Sequence, residues 1–232
     1  MQVIGKMGFR YATDFDRPPE EVVRRYQELM EKTGCLTGNV GDCVGRAAAM
    51  TAEIRNLSAG MKVIGPSLAV KVSAGDNLMI HKALTLARPG DVMVIDGGGV
   101  TSVALLGALI VRTAMKVGLA GMIVDGSVRD AAEIRELGLP VFARGINPNG
   151  PDKEGPGEIS FPISCGGRIV NPGDLVVGDD DGVVVIPREA GARVLKEVQA
   201  VIDREAKRIK EIEAGMITRP GLDEILKTKG LV

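Results

Sequence analysis

Arg129 and Asp130 stand just ahead of a helical pattern over residues 131–137, after an apolar run, Met122-Ile123-Val124, that ends in Asp125-Gly126 and turns through Ser127-Val128. That order reads strand, loop, helix. In α/β proteins ligands gather outside the carboxyl ends of strands and at helix N-termini. A guanidinium beside a carboxylate at such a place has the chemistry to hold an organic acid with one group and a divalent metal with the other. The spacing admits a second reading, because Asp130 with Glu133 three residues later also has the form of a capping box with Asp130 as N-cap.

Other residue clusters carry weaker signals. Asp96-Gly97-Gly98-Gly99 follows a strand, but Ser102 stands where a nucleotide-binding G-x-G-x-x-G needs its third glycine. A flexible turn that lets a ligand approach the backbone is the better reading. Gly107 interrupts a helical run, so either two elements pack closely there or the regular helix starts at Gly107. In the second case the amides of Gly107, Ala108, Leu109 and Ile110 are free to bind an anion. Asp179-Asp180-Asp181-Gly182 lacks the spacing of a calcium loop and reads as an acidic hairpin turn. His81, the single histidine, lies on an apolar helical pattern and reads as a hydrogen-bonded core residue. Cys35, Cys43 and Cys165 lack zinc-ligand spacing and read as reduced, small apolar residues.

The elements that must position Arg129 and Asp130 follow from periodicity. Val92-Met93-Val94-Ile95 is a continuous apolar strand of the fully buried type. Residues 103–117 read as helical and residues 140–145 as a further strand. Residues 92–145 therefore read β-α-β-α-β, the signature of a parallel sheet. Before this unit, residues 20–31 are helical, 36–42 a loop, 44–52 a short helix, 81–87 another, and 61–66 and 67–72 two strands around a Gly-Pro turn. Residues 1–18 mix charge and aromatics, and Arg17-Pro18-Pro19 stops any regular element there. After it come an irregular loop at 147–157, four strands at 159–163, 168–170, 175–178 and 183–186, a long helix over 187–214 and a short one at 222–227.

Composition narrows the class. Of 232 residues, 45% are apolar and 25% charged, values of a globular chain with a sizeable core. Aromatics are 3% with no Trp, so that core is aliphatic. A net charge of −1 provides no basic field for nucleic acid. No apolar run approaches the roughly 18 residues of a membrane span, and no signal-peptide pattern follows Met1. The expectation is a cytoplasmic α/β protein that engages neither membrane nor nucleic acid, with a long terminal helix packed on a neighbouring subunit.

The ordered set Pro89-Gly90-Asp91-Val92, Asp96-Gly97-Gly98-Gly99, Gly107-Ala108-Leu109-Ile110, the run from Gly121 through Arg129-Asp130, Cys165-Gly166-Gly167, Asn171-Pro172-Gly173-Asp174 and Gly178-Asp179-Asp180-Asp181-Gly182-Val183 resembles the RraA-like superfamily. That group includes 4-hydroxy-4-methyl-2-oxoglutarate/4-carboxy-4-hydroxy-2-oxoadipate aldolases and the regulator of ribonuclease E activity. The resemblance implies a β/β/α swivelling-type α/β fold, with a catalytic domain over residues 1–187 and a C-terminal helix and tail over 188–232. It implies trimers or hexamers with sites at subunit interfaces. It also implies Mg or Mn held by Asp130 and water, an oxo-acid bound by Arg129, and backbone amides of Gly107, Ala108, Leu109 and Ile110 on its carboxylate. Glu205 aligns loosely with an acid contributed across the interface.

The activity so implied is metal-dependent C–C cleavage of a pyruvate-derived oxo-acid, by aldol cleavage or by oxaloacetate decarboxylation. The alternative is a non-catalytic regulator acting by protein contact. One departure matters. Aldolases of this group usually carry Asp or Glu directly after the glycine aligned with Gly107, and here Ala108 stands there.

Overall fold

A strand apolar at every position, such as Val92-Met93-Val94-Ile95, is stable only with both faces covered, and the fold supplies both covers. The computed structural model describes residues 2–45 and 48–231. Among these, the first half of the chain forms β1 (Val3–Lys6), β2 (Phe9–Ala12), α1 (Glu20–Thr33), α2 (Thr37–Val44), β3 (Arg55–Asn56), β4 (Val63–Val72), α3 (Leu78–Leu84), β5 (Val92–Asp96), β6 (Ala104–Leu106) and α4 (Ala108–Val117). The second half forms β7 (Gly121–Val128), α5 (Ala131–Leu137), β8 (Val141–Ile146), β9 (Gly157–Ile159), β10 (Ile163–Cys165), β11 (Arg168–Val170), β12 (Leu175–Asp179), β13 (Gly182–Ile186), α6 (Gly191–Glu213) and α7 (Leu222–Thr228).

Strands β4, β5, β7 and β8 run parallel in that spatial order, with α4 and α5 as crossovers, so the β-α-β-α-β unit is present as read. Alternation along β5 sorts its side chains. Met93 and Ile95 pack towards α3, α4 and α5, with Leu106, Val111 and Ile134. Val92 and Val94 face the other way, onto Val176, Val183 and Val185 of the β12–β13 hairpin. That hairpin alternates in turn, sending Leu175, Val177, Val184 and Ile186 onto Tyr26, Leu29, Val194 and Val198 of α1 and α6. The layers are thus helices, parallel sheet, second sheet, helices: a mixed α/β fold with a long C-terminal helix. The first turns of α6 belong to this protomer's own core, with Val194, Val198 and Val201 buried, while Ile209 and Ile212 are half exposed.

Several elements differ from the sequence reading. The two expected strands around Gly65-Pro66 are one ten-residue strand, β4. Its residues 63–66 pair with β12 and its residues 67–71 with β5, so the chain passes from one sheet to the other at Pro66. A Cβ on Gly65 would overlap the Gly90 carbonyl, which explains the glycine. The expected helix over 103–117 is split: residues 104–106 form β6 against the end of β7, and α4 begins after Gly107. An antiparallel hairpin, β1–β2, precedes Arg17-Pro18-Pro19, in a stretch to which the sequence assigns no element. His81 is exposed on α3 rather than part of the core.

The expected helix over 44–52 is another correction, although Arg46 and Ala47 lie outside the described residues. Helix α2 occupies Thr37–Val44 instead, despite Gly38 and Gly41, each costing about 1 kcal/mol in a helix. The compensation is tertiary. Asp179, 2% exposed, accepts hydrogen bonds from the Leu36 amide (2.8 Å), the Thr37 amide (2.9 Å), the Thr37 hydroxyl (2.6 Å) and the Asp181 amide (3.0 Å). One carboxylate closes the β12–β13 turn and caps α2. Asp179→Ala leaves these donors without a partner and should lower unfolding free energy by about 2 kcal/mol. Urea denaturation monitored by circular dichroism checks this, and an unchanged midpoint would refute the cap.

Candidate active site

The Arg129-Asp130 pair sits at the carboxyl end of β7. The Arg129 amide donates to the Leu106 carbonyl (2.9 Å), which ties this loop to β6. Asp130 adopts the left-handed conformation, φ 57° and ψ 35°, and makes no side-chain cap on its own helix α5. Its Oδ2 instead accepts the Ala108 amide of α4 at 3.1 Å. Glu133, the other half of the capping-box reading, pairs with Arg112 at 2.8 Å. The box is therefore not formed, and the Asp130 carboxylate is directed at the neighbouring helix N-terminus.

Gly107 accounts for both readings of that position. Helix α4 starts immediately after it, and a Cβ there would overlap Asp130 Oδ2 and come within 2.9 Å of Arg129 Cγ. Of the four amides expected to face an anion, that of Ala108 is given to Asp130, and that of Ile110 to the Gly107 carbonyl at 3.1 Å. The amides of Gly107 and Leu109 have no backbone partner among the described residues. The Ala108 side chain packs in the apolar cluster beneath α4.

Arg129 and Asp130 side chains are 43% and 42% exposed, and Arg129 Nε stands 3.8 Å from Asp130 Oδ2, too far for a hydrogen bond. Asp130 Oδ1 accepts no hydrogen bond among the described residues. The same residues contain no group of three His, Cys, Asp or Glu side chains arranged to hold a metal. One accessible carboxylate suits Mg or Mn, hard cations of which magnesium keeps several waters and takes few protein ligands, and does not suit a cation that needs nitrogen or sulfur.

Beneath the Gly97-Gly98-Gly99 turn lies an ionic cluster not singled out from sequence. Arg144 on β8 pairs with Asp125 on β7 and with Glu53, and Asp125 Oδ2 also accepts the Gly166 amide at 2.7 Å. Hydrogen bonding to Asp125 holds the Arg144 guanidinium above its ordinary pKa. Burial pushes the Asp96 carboxyl and the Cys165 thiol up. A charged residue inside each of the otherwise apolar strands β7 and β8 was the available signal. The cluster braces the ends of β7 and β8, and the glycines of the turn pack against it. A Cβ on Gly97 would overlap Leu105, and the Gly99 amide donates to the Asp125 carbonyl at 3.0 Å.

Glu205 lies on α6, where it accepts from Asn39 of its own chain at 2.6 Å. Clefts of about 540 Å³, lined by Asp14, Phe161, Asp174 and Arg188, and about 760 Å³, lined by Arg17, Gln27, Pro66 and Asp91, lie away from Arg129. Volume is a poor guide here, since neither cleft gathers the free amides and the accessible carboxylate that the β7 end does.

A parallel sheet backed by a second sheet defines a mixed α/β protein, with an accessible Arg-Asp pair at the carboxyl end of β7 beside a helix N-terminus. The chain belongs to the RraA-like family (Aldolase/RraA), whose pattern matches residues 29–185. It is similar to a protein of Halalkalibacterium halodurans named as a candidate 4-hydroxy-4-methyl-2-oxoglutarate aldolase, with 41% identity over 160 residues, 69% of this chain and 76% of the relative. A 4-hydroxy-4-methyl-2-oxoglutarate aldolase of Thermus thermophilus is 38% identical over 112 residues, 48% of this chain and 68% of that one. The solved structure of the RNA-processing inhibitor RraA from Thermus superposes with a TM-score of 0.60 at 31% identity, covering 65% of this chain and 92% of the other. No helix among the described residues is long and apolar enough to cross a membrane.

Proposed function

We propose that this protein is a divalent-metal-dependent C–C lyase that releases pyruvate from an oxo-acid at Arg129 and Asp130. The observation that carries the reading is the Asp130 carboxylate. It is turned away from its own helix, has one oxygen without a hydrogen bond among the described residues, and stands 3.8 Å from the Arg129 guanidinium and beside the start of α4. The aldolase names of the relatives point the same way.

The free amides of Gly107 and Leu109 would take the substrate carboxylate at the positive end of the α4 dipole. Arg129 would donate to the oxo oxygen, where negative charge develops as the C–C bond breaks. Asp130 and water would hold the Mg or Mn, which supplies Lewis-acid chemistry when bound. In decarboxylation of oxaloacetate the bonding pair stays on the carbon α to the oxo group, carbon dioxide departs, and a proton from water completes pyruvate. Aldol cleavage of a 4-hydroxy-2-oxo acid asks more, because a base must also remove the hydroxyl proton. Ala108 offers none.

Purified protein should therefore release pyruvate from oxaloacetate with Mg or Mn faster than the metal alone does, and faster than from a hydroxylated oxo-diacid. Pyruvate reduction coupled to NADH consumption reads both rates. Release at the metal-only background from every oxo-acid, with no metal bound, would instead favour a non-catalytic regulator acting by protein contact; one solved relative is named an RNA-processing inhibitor. The proposal includes a homo-oligomer, in which the exposed Ile209, Ile212, Ile217 and Ile225 of the C-terminal region would find cover.

A further inference from the structure

We propose that Gly150 is a positioning residue for the Arg129 guanidinium, an inference that rests on Arg129 being the oxo-acid-binding group. A Cβ at Gly150 would lie 2.9 Å from Arg129 Nη1 and 3.9 Å from its Cζ, closer than a carbon and a nitrogen pack. Gly150 is not among the residues with positive φ, so its backbone makes no demand for glycine. What the position requires is room for the guanidinium.

The loop that delivers Gly150 is pinned. The Asn147 amide donates to the Val128 carbonyl at 2.9 Å, directly before Arg129 in the chain. The Asn149 amide donates to Asn147 Oδ1 at 2.9 Å, its side chain donates to the Ser102 carbonyl at 3.0 Å, and its own carbonyl accepts the Ala104 amide at 2.9 Å. Residues 147–150 are thereby fastened to β7 and to the segment leading into β6. The bonds of Asn147 and Asn149 oppose the loop's retreat from a methyl group added at Gly150.

Arg129 is free to yield. Its contact with Asp130, at 3.8 Å, is no hydrogen bond, and its guanidinium makes none to any described residue, so its fork gives way to an added methyl group. Moving the end of a flexible side chain costs the fold little. Moving it by a fraction of an ångström costs the site much, since a displacement of about 1 Å can lose about a hundredfold in rate.

The test is a double-mutant cycle, read as pyruvate release from oxaloacetate with Mn. Gly150→Ala should lower kcat/KM about tenfold with an unchanged melting temperature. In an Arg129→Lys background the same change should cost less than twofold, because the group it displaces is gone. The Arg129 Nε–H resonance, assigned by its loss in Arg129→Lys, should shift in Gly150→Ala without any ligand. An unmoved resonance, an unchanged kcat/KM, or losses of equal size in both backgrounds overturns the proposal. If the wild type releases no pyruvate, the lyase reading falls and the resonance alone decides Gly150. Should Gly150→Ala fail to fold, Asn149→Ala, which removes the bond to Ser102, replaces it with the same expected results.

Discussion

Asp130→Asn is expected to fold and melt like the wild type while losing about a hundred- to a thousandfold in pyruvate release, the scale on which removal of one preorganised electrostatic group acts. Three features make this substitution a clean removal of charge. Asparagine tolerates the left-handed conformation of residue 130 better than other non-glycine residues do. Its amide oxygen can keep the hydrogen bond from the Ala108 amide. The side chain is also far from buried, so no desolvated charge is left behind. Stability should therefore stay within about 0.5 kcal/mol, whereas Mn affinity and turnover should collapse together. Calorimetric Mn titration beside a thermal melt and the pyruvate assay would check it. Near-wild-type turnover in the Asn variant would reduce Asp130 to a brace for α4.

Arg129→Lys should be nearly as damaging, with a loss of about a hundredfold in kcat/KM. Lysine keeps the positive charge but replaces a planar fork with a rotating point charge, and a carboxylate and an oxo oxygen side by side suit the fork. Among the described residues no hydrogen-bonded ion pair depends on this guanidinium, so the melting temperature should hold. Comparing kcat/KM on oxaloacetate across Arg, Lys and Met at this position separates geometry from charge. Equal activity of the Lys variant would show that only the charge matters, and equal activity of the Met variant would put Arg129 outside the site.

Much of the positioning framework was legible because it is local. The apolar run 92–95 and α5 at Ala131–Leu137 declare themselves by periodicity and stand as read, whereas the strand before Arg129-Asp130 runs on through Ser127-Val128, read as a turn, because those residues pair with β6 and β8. What escaped reading depends on partners far away in the chain. Helix α2 contains two glycines and starts because Asp179, more than 140 residues later, caps it. Strand β4 runs straight through Gly65-Pro66 because it changes partners there. The direction of the Asp130 side chain could not be read from spacing, since a capping box and a carboxylate aimed at another helix share one local sequence. Gly150 gave no signal either. Its role exists only once residues 147–150 fold back against Arg129.

The divided strand β4 also bears on how the chain is made. While a ribosome delivers the protein, residues 67–71 find β5 soon after they emerge, but residues 63–66 have no mate until β12 has been synthesised. At about 5–20 residues per second this leaves a short apolar edge, with Val63 and Ile64 on it, open for several seconds or more. Helix α1 has to wait as well, because the surface it covers is built from β12 and β13. The parallel unit can thus form early, and the molecule is sealed only when the late hairpin arrives.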